Sequence, residues 1–373
     1  MSTGVLVAGG AGFIGSHLVD ALVRWGHVVR VLDALVPQVH GERADWPVWL
    51  PREVERLRGD VSDPDIWREA LRGVEVVYHL AAEVGVGQSM YEIARYMNAN
   101  AMGTAHLLQA LVRGKRSLQK LIVASSMSVY GEGAYRTGVG ETVYPPLRSW
   151  ARLAARQWEM IDPSERALLP IPTAEDKPLF PTSIYAISKR TQEEMCLAVG
   201  RAYRIPTIAL RFFNVYGPRQ ALSNPYTGAI AIFSSRLLNG KAPLIFEDGR
   251  QSRDLVHVQD VVQALLLCME RDSANYEAMN VGTGRAVTIL DAAKVLSREL
   301  GVNVEPQVVN QFREGDVRHC FADIGKAQRL LGYRPAITFE DGIGDLVRWV
   351  RRQSAEDRLE LATAELRARG LTH

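Results

Sequence analysis

Tyr185 and Lys189 are the residues whose types and spacing most directly suggest chemistry, in the run Tyr-Ala-Ile-Ser-Lys. Residues four apart share one face of a helix, so a helix here would place the phenol beside the ammonium. A free tyrosine has a pKa of about 10, which is too high for a base at neutral pH. A nearby positive charge favours the phenolate and lowers that pKa, so the pair could take a proton from a substrate hydroxyl.

A glycine-rich turn near the start of the chain indicates a cofactor. The apolar run 5–8 leads into Gly9, Gly12 and Gly15, and a helical pattern follows. Gly9 would permit a tight turn, Gly12 would let the backbone approach a pyrophosphate, and Gly15 would let the helix pack on the strand. The free N–H groups at the start of the helix, around Phe13 and Ile14, would face the phosphates. The alternative is a glycine turn without a ligand.

Asp33 ends the second predicted strand, residues 28–32. An acid about twenty residues beyond such glycines accepts hydrogen bonds from the adenosine ribose. Its charge would repel the 2′-phosphate of NADP, so we expect NAD as the cofactor. The alternative is that Asp33 only caps the following turn.

Composition excludes several classes of function. The chain has 373 residues, enough for two domains, with 47% hydrophobic and 23% charged residues, as in ordinary globular proteins. A formal net charge of +2 without a basic block gives no reason to expect nucleic acid or a membrane surface as a partner. The longest apolar run, near Val261–Met269, is too short for a membrane span.

The chain start and the cysteines predict a cytoplasmic protein. Met1–Gly4 leads straight into the first predicted strand and leaves no room for a signal peptide. Three scattered cysteines form no metal pattern and are expected to be reduced thiols: Cys196, Cys268 and Cys320.

The elements that carry these residues follow from the spacing of apolar residues along the chain. This spacing predicts a first helix over 14–25 and further strands over 54–57, 74–80, 121–124 and 207–213. With the Gly-x-x-Gly-x-x-Gly turn and Tyr-x-x-x-Lys in this order, the chain resembles the extended short-chain dehydrogenase/reductase family of nucleotide-sugar epimerases and dehydratases. The resemblance runs from Gly9 to about Asp323. It implies an α/β fold, a Rossmann-type doubly wound parallel sheet with a smaller α/β substrate-binding domain.

The resemblance also implies a division into domains. Residues 1–217 would form the NAD-binding Rossmann domain, with an insertion at 133–180. Residues 218–373 would form mainly the substrate-binding domain, with 243–282 returning to the Rossmann domain. The insertion contains no cysteine, so no zinc is expected, and its role is left open. The tail 355–369 is helix-prone and charged, which favours a solvated helix or a frayed end.

Further cofactor contacts follow from the resemblance. Asp60 and Val61 would hold the adenine, although an acid here could equally belong to a helix cap. Lys189 would bond the nicotinamide ribose, Asn100 would tie neighbouring loops together at the cofactor, and His79 is expected to be packed rather than catalytic. The other expected contacts follow strand ends: Leu80, Ala81, Ala82, Ser125 and Phe212.

The reaction type depends on the segment Ser126-Met127-Ser128. In the family, the residue at the position of Ser126 hydrogen-bonds the reacting sugar oxygen; a plain turn residue is the alternative. Dehydratases carry an acid at one or both of the next two positions, and decarboxylases usually carry a glutamate at the second. Methionine has no acid or base, and serine is a poor one without an activating partner. The chain therefore departs from those branches.

Four residues match substrate-binding positions of the family. Asn214 would bond a substrate phosphate, and Arg253 would clamp the diphosphate, since a planar guanidinium suits phosphate oxygens. Arg313 is the matching second phosphate ligand and Arg318 a further candidate. Each arginine could instead be a solvated surface charge.

We therefore expect an NAD-dependent nucleotide-sugar 4-epimerase, with Tyr185, Ser126 and Lys189 as catalytic residues. Its substrate would be a nucleotide-diphosphate sugar, first dTDP-L-rhamnose and then UDP-glucose or UDP-galactose. The alternatives are a dehydrogenase or ketosugar reductase with net redox chemistry, and a non-catalytic NAD-binding scaffold. The family further implies a homodimer through the helices at Asn98–Arg113 and Tyr185–Tyr203.

Overall fold

The protein is represented by a computed structural model that describes residues 2–114 and 118–373. The strands, in chain order, are β1 (Gly4–Ala8), β2 (Val28–Asp33), β3 (Glu55–Arg58), β4 (Val76–His79), β5 (Lys120–Ser126), β6 (Ala134–Arg136), β7 (Thr142–Val143), β8 (Leu169–Ile171), β9 (Thr207–Phe212), β10 (Asn214–Tyr216), β11 (Leu244–Ile245), β12 (Ser252–Arg253), β13 (Leu255–His257), β14 (Ala278–Val281), β15 (Val287–Thr288), β16 (Gln307–Val308) and β17 (His319–Cys320).

The α-helices alternate with these strands, and a wider-turn segment at Met97–Met102 joins the fifth to the sixth. They are α1 (Phe13–Arg24), α2 (Pro37–His40), α3 (Ile66–Ala70), α4 (Val86–Ser89), α5 (Ile93–Tyr96), α6 (Gly103–Arg113), α7 (Trp150–Ala154), α8 (Ile184–Tyr203), α9 (Ala229–Leu238), α10 (Val258–Glu270), α11 (Ile289–Leu300), α12 (Gly325–Leu331), α13 (Phe339–Val350) and α14 (Leu359–Ala368).

Seven strands form the central sheet in the order β14-β9-β5-β4-β1-β2-β3. Every pairing in it is parallel, and β1 lies in register with both neighbours through Val5↔Val29 and Val5↔Val76. The chain moves outward from β1 in one direction and then in the other, which is the Rossmann order. The doubly wound fold predicted from the sequence is confirmed.

Both faces of the sheet are buried, because successive side chains of a strand point to opposite sides. Val5 and Val7 of β1 belong to one apolar cluster with helices α1 and α10. Leu6 and Ala8 belong to the other, with α3, α6 and α8. Such continuously apolar strands are typical of a parallel sheet covered by helices on both sides.

A smaller layer lies beyond the carboxyl ends of the central strands. Helices α9, α11 and α13 share an apolar cluster there, and short sheets β10–β13, β11–β16 and β15–β12–β17 connect them. Within 243–282, β11 and β12 pair in these short sheets, whereas α10 packs on α1 and β14 joins the central sheet. We therefore place the return to the Rossmann layer at about Val258 rather than at residue 243.

The segment 133–180 contains the antiparallel sheet β7-β6-β8. It also contains the short helix α7. Arg156 takes a left-handed backbone conformation at φ +56° just beyond it. Trp158 then turns back so that its ring lies 6.4 Å from that of Phe312. The insertion therefore packs against a residue that lies outside it in the sequence.

The prediction of a solvated or frayed tail was wrong. Helix α14 forms at 359–368, and its apolar residues Leu359, Ala362 and Leu366 are buried. They recur three and four residues apart, so they share one face of the helix. None of the helices in the described ranges is both long and apolar enough to span a bilayer. Cys196, Cys268 and Cys320 are buried free thiols.

Candidate active site

One large cavity opens at the carboxyl ends of the central strands, between the two layers. This is where open α/β sheets bind their ligands. Its wall includes the residues predicted for the glycine turn, the adenosine side and the strand ends, which are Gly9, Gly12, Phe13, Ile14, Gly15, Asp33, Asp60, Val61, Leu80, Ala81, Ala82, Ser125 and Phe212.

The glycine turn leaves no room for side chains. Gly9 has φ +83°, and a Cβ there would lie 2.7 Å from the Ala81 nitrogen. A Cβ on Gly15 would overlap the carbonyl oxygen of Gly9. Gly12 caps α1 without any side-chain hydrogen bond, so the first N–H groups of the helix face the cavity. This cradle fits a dinucleotide pyrophosphate.

Asp33 lies at the edge of the same cavity. Its carboxylate accepts hydrogen bonds from the Ala11 nitrogen at 3.0 Å and the Leu35 nitrogen at 2.9 Å, which hold it in place beside the glycine turn. Each carboxylate oxygen retains further acceptor capacity toward ribose hydroxyls. The Oγ of Ser125, at the end of β5, is buried and has no hydrogen-bond partner among residues 2–114 and 118–373. It offers a further polar contact inside the cradle.

Asn100 does not line this cavity. It is fully buried, accepts a hydrogen bond from the Glu83 nitrogen at 2.8 Å, and donates to the Glu83 carbonyl at 3.0 Å and to Ser188 Oγ at 2.9 Å. Its amide therefore ties the loop after β4 to α8. This corrects its placement among direct cofactor contacts, because the backbone and Ser188 use its polar atoms.

Ser126, Tyr185 and Lys189 come together in the cavity wall. Ser126 is the last residue of β5, and its Oγ accepts from the Ser128 nitrogen at 3.2 Å and donates to Ser128 Oγ at 3.0 Å. Tyr185 lies in the first turn of α8, whose N-cap Ser183 accepts a hydrogen bond from the Ala186 nitrogen. Lys189 follows one turn later, so the helix holds the predicted pair on one face.

Burial is the largest influence on the pKa values of Tyr185 and Lys189 in the protein without its cofactor. It raises the pKa of Tyr185, and a hydrogen bond with Ser126 opposes that rise. It lowers the pKa of Lys189 to about 7, mainly because the ammonium is removed from water. The protein alone therefore does not depress the pKa of the tyrosine as expected from Lys189; a further positive charge is needed beside the phenol.

His79 is a packed residue, as predicted. It is fully buried, and its Nε2 lies 2.8 Å from Thr104 Oγ1. Burial lowers the pKa of His79 to about 3, so the ring is neutral at physiological pH. Gln192 joins this group by donating to Thr104 and accepting from Lys189 Nζ at 2.8 Å. The histidine thus helps to hold the lysine without lining the cavity.

Three of the four predicted substrate residues line the cavity: Asn214, Arg253 and Arg313. Arg253 donates to the backbone carbonyls of Ser252, Val317 and Arg318. The guanidinium of Arg313 lies 3.9 Å from the centre of the Phe246 ring. Within the described chain, Nε of Arg313 and Oδ1 of Asn214 are buried without a hydrogen-bond partner, so both are available to a ligand.

Arg318 is not a substrate ligand in this arrangement. Its side chain is fully buried and pairs with Glu247 at 2.9 Å, Asp248 at 2.7 Å and Glu159 at 2.5 Å. It does not line the cavity, because three carboxylates surround the guanidinium behind the wall. The prediction of a second phosphate-binding arginine at this position was wrong.

Several residues that line the cavity were not predicted from the sequence. The inner face of α14 contributes Leu359, Ala362, Thr363 and Leu366, and Tyr226 also lines the cavity. The spacing of Leu359, Ala362 and Leu366 was visible in the sequence as one helical face and could have revealed them. No local pattern identifies Asp316, which lies near both Arg253 and Arg313.

Comparison with known proteins agrees with this geometry. The NAD dependent epimerase/dehydratase family matches residues 5–154 and 159–282. The chain is 37% identical over 351 residues to the dTDP-L-rhamnose 4-epimerase of Burkholderia thailandensis, covering 94% of this chain and 95% of that one.

Solved structures show the same fold. The UDP-glucose 4-epimerase of Thermotoga maritima with UDP-glucose matches with a TM-score of 0.75 and 32% identity, covering 94% of this chain and 99% of that one. The UDP-glucuronic acid 4-epimerase of Bacillus cereus with UDP-glucuronic acid and NAD matches with a TM-score of 0.76 and 27% identity, at the same coverage. The resemblance inferred from the glycine turn and the Tyr-x-x-x-Lys pair is thereby confirmed, and the chain belongs to the NAD dependent epimerase/dehydratase family.

Proposed function

We propose that this chain is an NAD-dependent nucleotide-sugar 4-epimerase. The observation that carries the proposal is the meeting of Ser126, Tyr185 and Lys189 in the cavity that also contains the glycine cradle and Asp33. Met127 and Ser128 supply no carboxylate beside Ser126, which argues against elimination of water and against decarboxylation. The 4-epimerase relatives support the same reaction type.

The protein residues have distinct roles in this proposal. When bound, NAD supplies a reversible hydride acceptor for the sugar carbon C4 and a positive charge beside the phenol. Tyr185 takes the O4 proton as the C4–H bond breaks, which leaves a 4-keto sugar. Ser126 donates a hydrogen bond to O4, and Lys189, one helical turn beyond Tyr185, would bond the nicotinamide ribose. After the sugar turns, Tyr185 returns the proton to O4 as C4–H reforms on the opposite face.

The nucleotide diphosphate belongs at the other end of the cavity. Arg253, Arg313 and Asn214 present cationic and polar groups there, which suit phosphate oxygens. We propose dTDP-L-rhamnose as the first substrate, supported by the 37% identical relative, and UDP-glucose or UDP-galactose as the second.

One experiment tests both the cofactor and the reaction. Purified protein is denatured and the supernatant analysed for NAD, and fresh protein is incubated with dTDP-L-rhamnose, UDP-glucose or UDP-galactose without added cofactor. We expect released NAD and a new C4 epimer, detected by NMR, without net NADH formation. Turnover that requires added NAD(P)(H) and consumes it stoichiometrically would instead establish net redox chemistry. Bound NAD without turnover of any of the three sugars would contradict the substrate assignment and favour a scaffold.

We also propose a cytoplasmic homodimer. The helices α6 and α8 carry half-exposed apolar side chains, including Met102 just before α6 and Ile187 within α8, which a partner subunit could cover. Light scattering on the purified protein is expected to give twice the mass of one chain, and a monomeric mass would reject the dimer.

A further inference from the structure

We infer that the C-terminal segment 359–373 is a wall of the active site and that Glu365 is the positioning residue that holds it in place. The inference rests on the proposed function, because the wall encloses the space in which the keto sugar would turn. It assigns a role to a part of the chain that lies beyond the residues matched by the family, 5–154 and 159–282.

Helix α14 presents one face to the cavity. Leu359, Ala362, Thr363 and Leu366 line it, and Leu371 follows beyond the helix end. Glu360 lies on the outer face and pairs with Lys241 at 3.2 Å. The segment therefore adds an apolar surface to the cavity that Tyr185 and Ser126 also line.

Glu365 joins α14 to both sides of the cavity. The hydroxyls of Tyr91 and Tyr226 each lie 2.9 Å from one carboxylate oxygen of Glu365 and 2.6 Å from one another. Each hydroxyl has one proton, so at least one of them donates to the carboxylate at any time. Hydrogen bonds to a charged acceptor are stronger than neutral ones. Arg369 pairs with the other carboxylate oxygen at 3.1 Å and covers the Tyr91 ring.

The loop after β4 is shaped to receive this segment. A Cβ on Gly85 would lie 2.9 Å from the Cβ of Tyr226, and a Cβ on Gly87 would lie 3.3 Å from Leu366. Larger residues at these two positions would push Tyr226 and α14 away from the loop after β4. Tyr91, from the same loop region, then reaches Glu365, so α14 closes the seam between the two layers.

The chain end is also attached to the phosphate side. Phe312 and His373 exchange two backbone hydrogen bonds, and the Glu314 nitrogen donates to the Leu371 carbonyl at 3.1 Å. These hydrogen bonds lie on either side of Arg313, whose backbone forms an isolated antiparallel β-bridge with Thr372. The same segment thus holds both the wall beside the sugar and the backbone around Arg313, a predicted phosphate ligand.

Such a wall matters for a 4-epimerase because the keto sugar must turn without leaving. If the sugar escapes after C4–H has broken, two electrons and one proton from C4 remain with the enzyme as NADH. We therefore expect a loosened wall to raise KM and to produce NADH absorbance at 340 nm during turnover.

The test compares Glu365→Ala with Glu360→Ala, a matched glutamate on the outer face of the same helix. Limited trypsin digestion followed by intact-mass analysis reports the release of peptides after Arg358, Arg367 and Arg369, independently of any activity. We expect faster release from Glu365→Ala and an unchanged rate from Glu360→Ala. Circular dichroism before digestion checks that both variants are folded.

Kinetics then test the positioning role with the substrate that the wild type epimerises. We expect Glu365→Ala to raise KM about tenfold, the effect of losing about one hydrogen bond, and to accumulate NADH. Glu365→Gln retains an acceptor for the tyrosine hydroxyls and is expected to recover most of the loss, which also covers the case in which the alanine variant does not fold. The inference would be overturned if Glu365→Ala had the same KM, the same NADH accumulation and the same digestion rate as the wild type. A wild type that epimerises no sugar would refute the proposed function, while the digestion would still decide whether Glu365 holds the segment.

Discussion

At the scale of single residues, the properties of Tyr185 and Lys189 depend on burial as much as on their spacing. Burial raises the pKa of the phenol and lowers that of the ammonium to about 7. A hydrogen bond with Ser126 opposes this rise in the pKa of the phenol. We therefore expect the tyrosine to act as a base only when bound NAD places a further positive charge beside it.

Tyr185→Phe tests this assignment, because it removes the hydroxyl and keeps the ring. We expect turnover to fall about 10² to 10⁴-fold, the usual contribution of a positioned acid–base group. The NAD content after denaturation should stay unchanged, since the glycine cradle remains. The matched control is Tyr203→Phe at the exposed end of the same helix, with turnover measured by NMR of the sugar epimers. Undiminished turnover in Tyr185→Phe would exclude a catalytic role for the phenol.

At the scale of elements, the segment 133–180 braces the phosphate side of the cavity. Arg148 donates to both carboxylate oxygens of Glu247 at 2.8 Å, and Glu247 also accepts from Arg318. Glu247 lines the cavity in a left-handed conformation at φ +51°, which is costly for a residue with a side chain. Ion pairs from the insertion therefore hold a strained part of the wall.

Arg148→Met should reveal this bracing as a loss of stability. The change leaves a buried carboxylate with one partner fewer, and breaking a buried pair costs about 3 kcal/mol. Urea unfolding at pH 7.5 measures the loss. Arg136→Met, at an exposed position of β6, is the matched control and should change the free energy of unfolding by less than about 0.5 kcal/mol. Equal effects of the two substitutions would show that the insertion contributes no such bracing.

At the scale of the whole molecule, two buried histidines link stability to pH. Burial lowers the pKa of His17 to about 4 and that of His79 to about 3. His17 lies in α1 beside the glycine turn, and His79 ends β4. The unfolded chain binds protons on both below about pH 6.5, whereas the folded chain does not until lower pH. Stability is therefore lost as the pH falls from about 6.5 toward these lowered pKa values.

His79→Gln should remove its share of this acid sensitivity. Between pH 7.5 and pH 5, protonation of one unfolded histidine costs the folded state about 2 kcal/mol. The free energy of unfolding, measured by urea at both pH values, should fall by that much less in His79→Gln than in the wild type. His106→Gln, at a partly exposed position of α6, is the control and should retain the wild-type difference. The same pH dependence in all three proteins would contradict a neutral buried His79.

The features that could be predicted without a structure are those that depend on local spacing. Glycines three apart after an apolar run, an acid at the end of the next strand, and a Tyr–Lys pair one helical turn apart are short-range patterns. They predicted the Rossmann sheet, most of the cradle and the Tyr185–Lys189 pair, because a strand end or a helix face places such residues in one direction. Ser126 was expected from the family resemblance.

Long-range packing determines which long polar side chains reach the cavity and which elements cover it. Arg313 and Arg318 were both candidate phosphate ligands. Arg313 lines the cavity, whereas Arg318 is buried among the carboxylates of Glu159, Glu247 and Asp248. The charged composition of the tail favoured a solvated helix or a frayed end, whereas in the structure Leu366 of α14 packs close to Gly87. Such contacts join residues far apart in the chain, and packing rather than local propensity selects them.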